Sequence, residues 1–338
     1  MNRPQLIVIT PVRNEAWVLD AFLTHTSSWA DVIIIADQRS TDGSREIIKH
    51  YQESVSGCKV IMVDNSSEEM NQAYARQLLF KEVDKIDGDK IVFALDADEF
   101  LTQGFANTPS WEKILNSPTN SIFSFKWINL LGDFKHILPQ GNGYMEWVCH
   151  FDPSMKIADE YSKCENRAVH EMRIPCLSPD RSSYIHIDDI QFIHLARLNS
   201  IRTLHKEDFY QVSSIAKLPK NLSGVSLYRA YHNQYRTILL ENELMLLDKT
   251  ETIDVKSKVL LHDPGQYYID ETLAIIRRMG RELFFKIDIW ERPYMLQSDI
   301  DCNIPFRYKL FHKYLRKTNN IKNQFAIRVL DKLLKYLV

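Results

Sequence analysis

Asp96-Ala97-Asp98-Glu99 directly follows the apolar run Ile91–Leu95. In an extended segment residues i and i+2 face the same side, so the Asp96 and Asp98 carboxylates are expected to face one ligand. Neighbouring carboxylates repel unless a cation lies between or near them. Mg2+ or Mn2+ suits such oxygens, with water and substrate phosphates completing the shell. A solvated turn or helix cap is the plainer alternative, but polar clusters closing two earlier strands favour the cation. A second candidate is His170-Glu171, an adjacent pair in Arg167–Glu171 behind a predicted strand. Position 174 is Ile, so the pair is not part of a zinc-binding HExxH motif. His194 lies in the mostly apolar stretch Ile193–Arg197, where a core histidine with a satisfied hydrogen bond is the ordinary reading. His136, His150, His186 and His205 have no partner at telling spacing.

Positioning these groups requires a sheet. Gln5–Thr10, Val32–Ala36, Lys59–Val63 and Ile91–Leu95 are short apolar runs of the kind that form buried parallel strands. Between them lie amphipathic stretches: Trp17, Leu19, Phe22 and Leu23; then 45–53, behind the cap-type residues Ser40-Thr41-Asp42-Gly43; then 68–83 with Ala73, Ala75, Leu78, Leu79 and Val83. This alternation predicts an α/β fold, a mainly parallel doubly wound sheet covered on both faces. Ligands of such sheets bind beyond the carboxyl ends of the strands, and Thr10–Glu15, Asp37–Asp42 and Asp96–Glu99 all fall there. Residues 120–195 change to β-rich segments (121–128, 145–151, 184–187), read as a mixed-sheet extension. From about Ser200 the chain reads as helical, with Leu239, Leu240, Leu244 and Leu247 on one stripe. The expected division is 1–200, with halves 1–100 and 101–200, followed by a helical region 201–338.

Composition removes other classes. Among ten glycines none forms GxGxxG or GxxxxGK[ST], so the dinucleotide fingerprint and the P-loop are absent. The five cysteines form no CxxC pair, which disfavours a disulfide framework or zinc site and fits a reducing cytoplasm. No apolar run approaches the roughly 18 residues needed to span a bilayer, and the start lacks a cleavage-site pattern.

Three ordered motifs give the sequence a resemblance. Thr10-Pro11-Val12-Arg13-Asn14-Glu15, Asp37-Gln38-Arg39-Ser40-Thr41-Asp42-Gly43 and Asp96-Ala97-Asp98-Glu99 are similar to the opening, second and DxD segments of family 2 glycosyltransferases of the GT-A fold. The similarity covers about residues 5–200, and the DADE form points to the bacterial cell-envelope group. Gln38-Arg39 departs from the acidic-Gly pair often found there. The resemblance implies transfer of a sugar from a nucleoside-diphosphate donor, a UDP-sugar favoured, to a saccharide or lipid-linked acceptor. It implies that Pro11, Asn14 and Glu15 line the base and ribose, and that Asp37 accepts from the base. Arg76 stands where the family has the arginine of its "ARN" segment and would contact base or diphosphate. Asp96 would hold the ribose or a metal water, Asp98 the divalent cation (Mn2+ or Mg2+). Several such enzymes complete the metal site with a histidine, the role open to His194, and Arg197 would then meet the diphosphate. An inverting transfer needs a general base. No close copy of the family's "ED" motif is present, and His170-Glu171 resembles a "VHE" segment of some members, so Glu171 is the expected base with His170 competing.

The net charge of −2 conceals an asymmetry. Residues 306–338 hold nine Lys/Arg and only Asp331, a charge of +8, leaving −10 for residues 1–305. Phe325, Val329, Leu333 and Leu337 recur every four residues, with Leu330 and Leu334 beside them. This predicts a basic amphipathic helix, either docked on its own chain or in contact with a membrane surface, which would make the protein cytoplasmic and peripheral on the inner face. Nucleic acid is not an expected partner, because no recognition motif accompanies the basic patch. Two rival functions remain: a nucleotidyltransferase, against which the glycine-free Pro11–Glu15 counts, and an inactive sugar-nucleotide-binding scaffold.

Overall fold

The computed structural model describes residues 3–67, 72–137, 145–152, 173–174, 184–218, 222–231, 245–246 and 255–337. They divide into two compact units, 1–198 with 246–261, and 199–245 with 262–338.

The first unit is built on β1 (Gln5–Val12), β2 (Val32–Asp37), β3 (Lys59–Asp64) and β4 (Lys90–Ala94), joined through helices α1 (Ala16–Ser27), α2 (Ser44–Ser54) and α3 (Gln72–Asp84). The chain then adds β5 (Glu99–Leu101), α4 (Pro109–Leu115), β6 (Ile122–Asn129), β7 (His136–Ile137), β8 (Met145–Phe151) and β9 (Ile185–His194). Eight strands form one sheet in the order β3-β2-β1-β4-β8-β6-β9-β5. The first four are parallel; β8 is antiparallel to β4 and β6, β9 parallel to β6, and β5 antiparallel to β9. The expected α/β architecture, mainly parallel and flanked by helices, is therefore present.

Alternation along the strands explains why both faces are covered. Leu6, Val8 and Val12 of β1 enter one core with Trp17, Phe22 and Phe93, while Ile7 and Ile9 enter another with Leu79, Phe80 and Val92. A strand buried on both sides must be apolar throughout, which is why these runs were readable. Pro11 is tolerated in a central strand because β1 has already passed its last pair with β4, Ile9 with Ala94.

Two local expectations change. Asp96–Glu99 is a turn, with the Glu99 N–H donating to the Asp96 carbonyl at 3.1 Å, and Glu99 then opens β5. Asp96 and Asp98 consequently do not share the face an extended strand would have given them. His194 is the last residue of β9, a strand that runs seven residues beyond the segment 184–187 expected from sequence. The extra length is stabilised by pairing with β5 and β6, partners far away in sequence.

The second unit contains α5 (Ser200–Lys217), α6 (Gly224–Tyr231), α7 (Gln266–Met279), α8 (Pro293–Leu296), α9 (Phe306–Thr318) and α10 (Phe325–Leu337). Asn199 caps α5 by accepting from the Ile201 and Arg202 N–H groups, each at 3.0 Å. The basic tail forms two helices separated by a 3-10 turn at Asn319–Ile321, and the second of them, Phe325–Leu337, is the helix expected from the four-residue apolar spacing. The Leu239–Leu247 stripe lies outside the described residues except for the backbone at 245–246.

Candidate active site at the carboxyl rim of the sheet

The carboxyl ends of β1 and β2 are tied together before any ligand is considered. Asn14 adopts a left-handed φ of 56°, and its Oδ1 accepts from the Thr41 N–H at 2.7 Å. The Asn14 N–H donates to Ser40 Oγ, and the Glu15 N–H to Ser44 Oγ. Asp42 accepts from the Ala16 N–H through one oxygen and from Ser44 through the other. The Glu15 carboxylate accepts from the Trp17 indole at 2.6 Å. In this structure the polar residues of both motifs thus also serve as ties that hold two loops in register. Pro11 pairs with Ala36 at the end of the β1–β2 ladder.

Asp37 ends β2 with no exposed surface. Its Oδ2 accepts from Arg45, which also donates to Asp64 at 2.7 Å. Among the described residues Oδ1 has no hydrogen-bond partner. A buried carboxylate oxygen without a donor is costly, by about 1–3 kcal/mol or more, and a hydrogen-bond donor placed there would offset that cost. Arg39, two residues on, is exposed and holds a left-handed φ of 53°, the region in which glycine is at ease.

The acidic turn is organised by two arginines. Arg76 of α3, only 3% exposed, donates to the carbonyls of Ile9 and Leu95 and to Asp96 Oδ1. Arg173 donates to Asp96 Oδ2 at 2.7 Å and to both oxygens of Glu99. Each oxygen of Asp96 therefore meets a guanidinium. Burial works against the Arg173 charge, but Asp96 and Glu99 more than offset it and it holds its proton more tightly than an ordinary arginine. Complete burial pushes the Glu99 carboxyl above its usual value, with Arg173 opposing and Asp96 reinforcing.

Asp98 turns the other way. Its Oδ2 lies 3.5 Å from His194 Nε2, across the junction of β5 with β9. His194 Nδ1 lies 2.7 Å from Asn129 Oδ1, a contact that orients the ring with Nε2 towards Asp98. A protonated ring would pair with the Asp98 carboxylate directly, and oxygen with imidazole nitrogen is also a donor set that Mn2+ accepts. The two side chains fit a divalent cation whose remaining positions come from water and phosphate. No set of three or more His, Cys, Asp or Glu side chains able to hold a metal occurs among the described residues.

Of the expected site residues, Asp37, Arg76, Asp96 and Asp98 stand at the ends of β2, α3 and β4, and His194 joins Asp98. Arg197 is half-buried in the turn after β9, its carbonyl accepting from the Gly132 N–H. His170 and Glu171 lie outside the described residues. Sequence reasoning missed Arg173 and Asn129, whose partners are far away in sequence, and Arg45, which meets Asp37 from the first turn of α2 without a spacing signal.

Comparison with known proteins bears on the same rim. Residues 7–132 match the model of Glycosyl transferase family 2, a span that runs from β1 through β6 and includes all three polar clusters. No curated protein matches the chain. Among solved structures, the mannosyltransferase PcManGT from Pyrobaculum calidifontis, in complex with GDP-Man and Mn2+, is 13% identical over all of this chain and 86% of its own, with a TM-score of 0.42. The nucleoside-diphosphate-sugar pyrophosphorylase from Vibrio cholerae RC9 is 8% identical over 55% of this chain and 94% of its own, TM-score 0.35. HddC from Yersinia pseudotuberculosis is 12% identical over 56% and 93%, TM-score 0.31. All three likenesses are weak.

Proposed function

We propose that this chain is a metal-dependent glycosyltransferase that moves a sugar from a nucleoside-diphosphate donor to an acceptor hydroxyl. The observation that carries the reading is the approach of Asp98 Oδ2 to His194 Nε2, 3.5 Å apart, at the strand rim next to a glycosyl transferase family 2 segment. Sugar transfer in the broad sense is supported by that segment; metal use and stereochemistry are our extension of it.

In this reading Asp37 Oδ1 accepts a hydrogen bond from the nucleotide base, filling its open valence. Arg76 and Arg173 hold Asp96 rigid, so that it can accept from a ribose hydroxyl or a metal-bound water without reorienting. Asp98 and His194 hold the divalent cation. Bound there, it would supply Lewis-acid stabilisation of the charge that develops on the leaving diphosphate. Transfer inverts the anomeric centre, with Glu171 taking the acceptor proton and His170 as the competing base. The acceptor is a saccharide or lipid-linked intermediate of cell-envelope synthesis, following the DADE resemblance.

A thermal-shift panel of UDP-, GDP- and dTDP-sugars, with and without Mn2+, tests the reading, since specific ligands raise the melting temperature by mass action. One donor class should stabilise the protein only when Mn2+ is present and should be hydrolysed slowly. If no donor shifts the melting temperature and none is consumed, the chain is not a transferase of this kind.

A further inference from the structure

The second unit carries a surface that sugar transfer does not explain. At about 100° per residue, Ile327, Asp331 and Leu334 fall on one side of α10. Ile327 is buried, and Leu334 packs against the cluster of Val225, Tyr228, Phe311 and Leu315. Asp331 accepts from Arg229 at 3.0 and 3.1 Å and from the Tyr314 hydroxyl at 2.8 Å. This side is the docked one.

The opposite side is apolar and open. Phe325 is 83% exposed and Leu333 57%, with Val329 and Leu330 also exposed between them. Arg328, Lys332 and Lys335, all exposed, line one edge of that arc. Asp331 is the only acid between Lys322 and Lys335, and it faces inward. The outward side of α10 is therefore apolar and cationic with no carboxylate to offset it. Docking on its own chain thus accounts for one side of the helix and leaves the other open.

We propose that α10 binds an anionic phospholipid surface, with Phe325, Val329, Leu330 and Leu333 entering the headgroup boundary and Arg328, Lys332 and Lys335 meeting lipid phosphates. Charge decides the occupant. Apolar arc and cations lie side by side on one open face, and an interfacial helix gains from both. The Arg229–Asp331 pair sets the orientation by keeping the acidic edge away from the lipid.

The full chain is sedimented with vesicles of phosphatidylcholine alone and of phosphatidylcholine with one-third phosphatidylglycerol, at low and high salt. Binding is expected with the anionic vesicles at low salt, and at least about tenfold less with the zwitterionic ones. Lys332→Ala with Lys335→Ala should lower the partition about fivefold per cation. Phe325→Ser with Leu333→Ser should lower it at least about tenfold and leave the melting temperature unchanged, because neither side chain is buried. Two results overturn the proposal: no binding to the anionic vesicles, or binding that neither pair of substitutions reduces. A dimer in light scattering that Leu333→Ser returns to monomer, without vesicle binding by either, would assign the face to a second copy.

Discussion

Asp37 and Asp208 are both carboxylates with no exposed surface, and each meets an arginine. Their closure differs. Asp208 in the helical unit accepts through both oxygens, from Arg292 at 3.0 and 3.3 Å and from the Tyr294 hydroxyl at 3.1 Å. Asp37 at the rim of the sheet uses one oxygen and keeps the other open. A buried charge whose valences are met inside the protein holds the fold together; one left incomplete is a place for a ligand. At the same rim Asp96 is fixed by two guanidinium groups, and Asp98 faces the Nε2 of His194.

The largest effect should come from the acidic turn at the rim. Asp98→Asn is expected to lower donor hydrolysis or transfer by about 10²–10³-fold and to leave thermal unfolding nearly unchanged. Normal turnover in that variant, or in excess chelator, would remove the cation from the mechanism. On the closed side, Arg292→Ala strands a buried carboxylate and should cost about 3–5 kcal/mol of stability, read from urea unfolding.

Asp37→Asn tests the contrast directly. It should weaken nucleotide binding by roughly 10–100-fold, the range for a hydrogen bond to a charged group, and change stability less than Arg292→Ala does. A variant that binds nucleotide normally but unfolds early would place Asp37 with Asp208.

Acid should act through the closed pairs. Burial works against the charge of Asp288, but Arg316 and His312 more than offset it and hold its carboxyl below the usual value. The stability this contributes is present above the unfolded value of about 3.9 and is lost as pH falls through the lower folded value. The melting temperature should drop below about pH 4, and less steeply in Asp288→Asn. The smallest effect is expected from Arg39→Gly. Releasing a left-handed φ of 53° should raise stability by about 1 kcal/mol, and any accompanying loss of nucleotide affinity would show that the Arg39 side chain reaches the donor.

The parallel half of the sheet was readable because a strand buried on both faces admits only apolar residues, and Gln5–Thr10 or Ile91–Leu95 meet that demand locally. α4 and the length of β9 were not readable. Pro109–Leu115 starts at the cap of Thr108, with no long apolar period to announce it. Residues 188–189, two aspartates, look unlike a strand; they fall at the irregularity between two paired segments, where Ile187 meets Phe125 and Phe192 meets Trp127. The tail was readable in its periodicity but not in which leucines face inward.

By itself, then, the sequence determined the order of strands and helices in the first hundred residues, the three polar clusters at their ends and the uneven charge of the tail. Each follows from local composition and from periods of two or 3.6 residues. Only the tertiary structure decided that Asp96 belongs to Arg76 and Arg173, that Asp98 belongs to His194, and that Asp331 turns the acidic edge of α10 inward. Those choices join residues 20 to 102 positions apart. No local rule encodes them, because side chains that distant acquire neighbours only when the chain between them has folded.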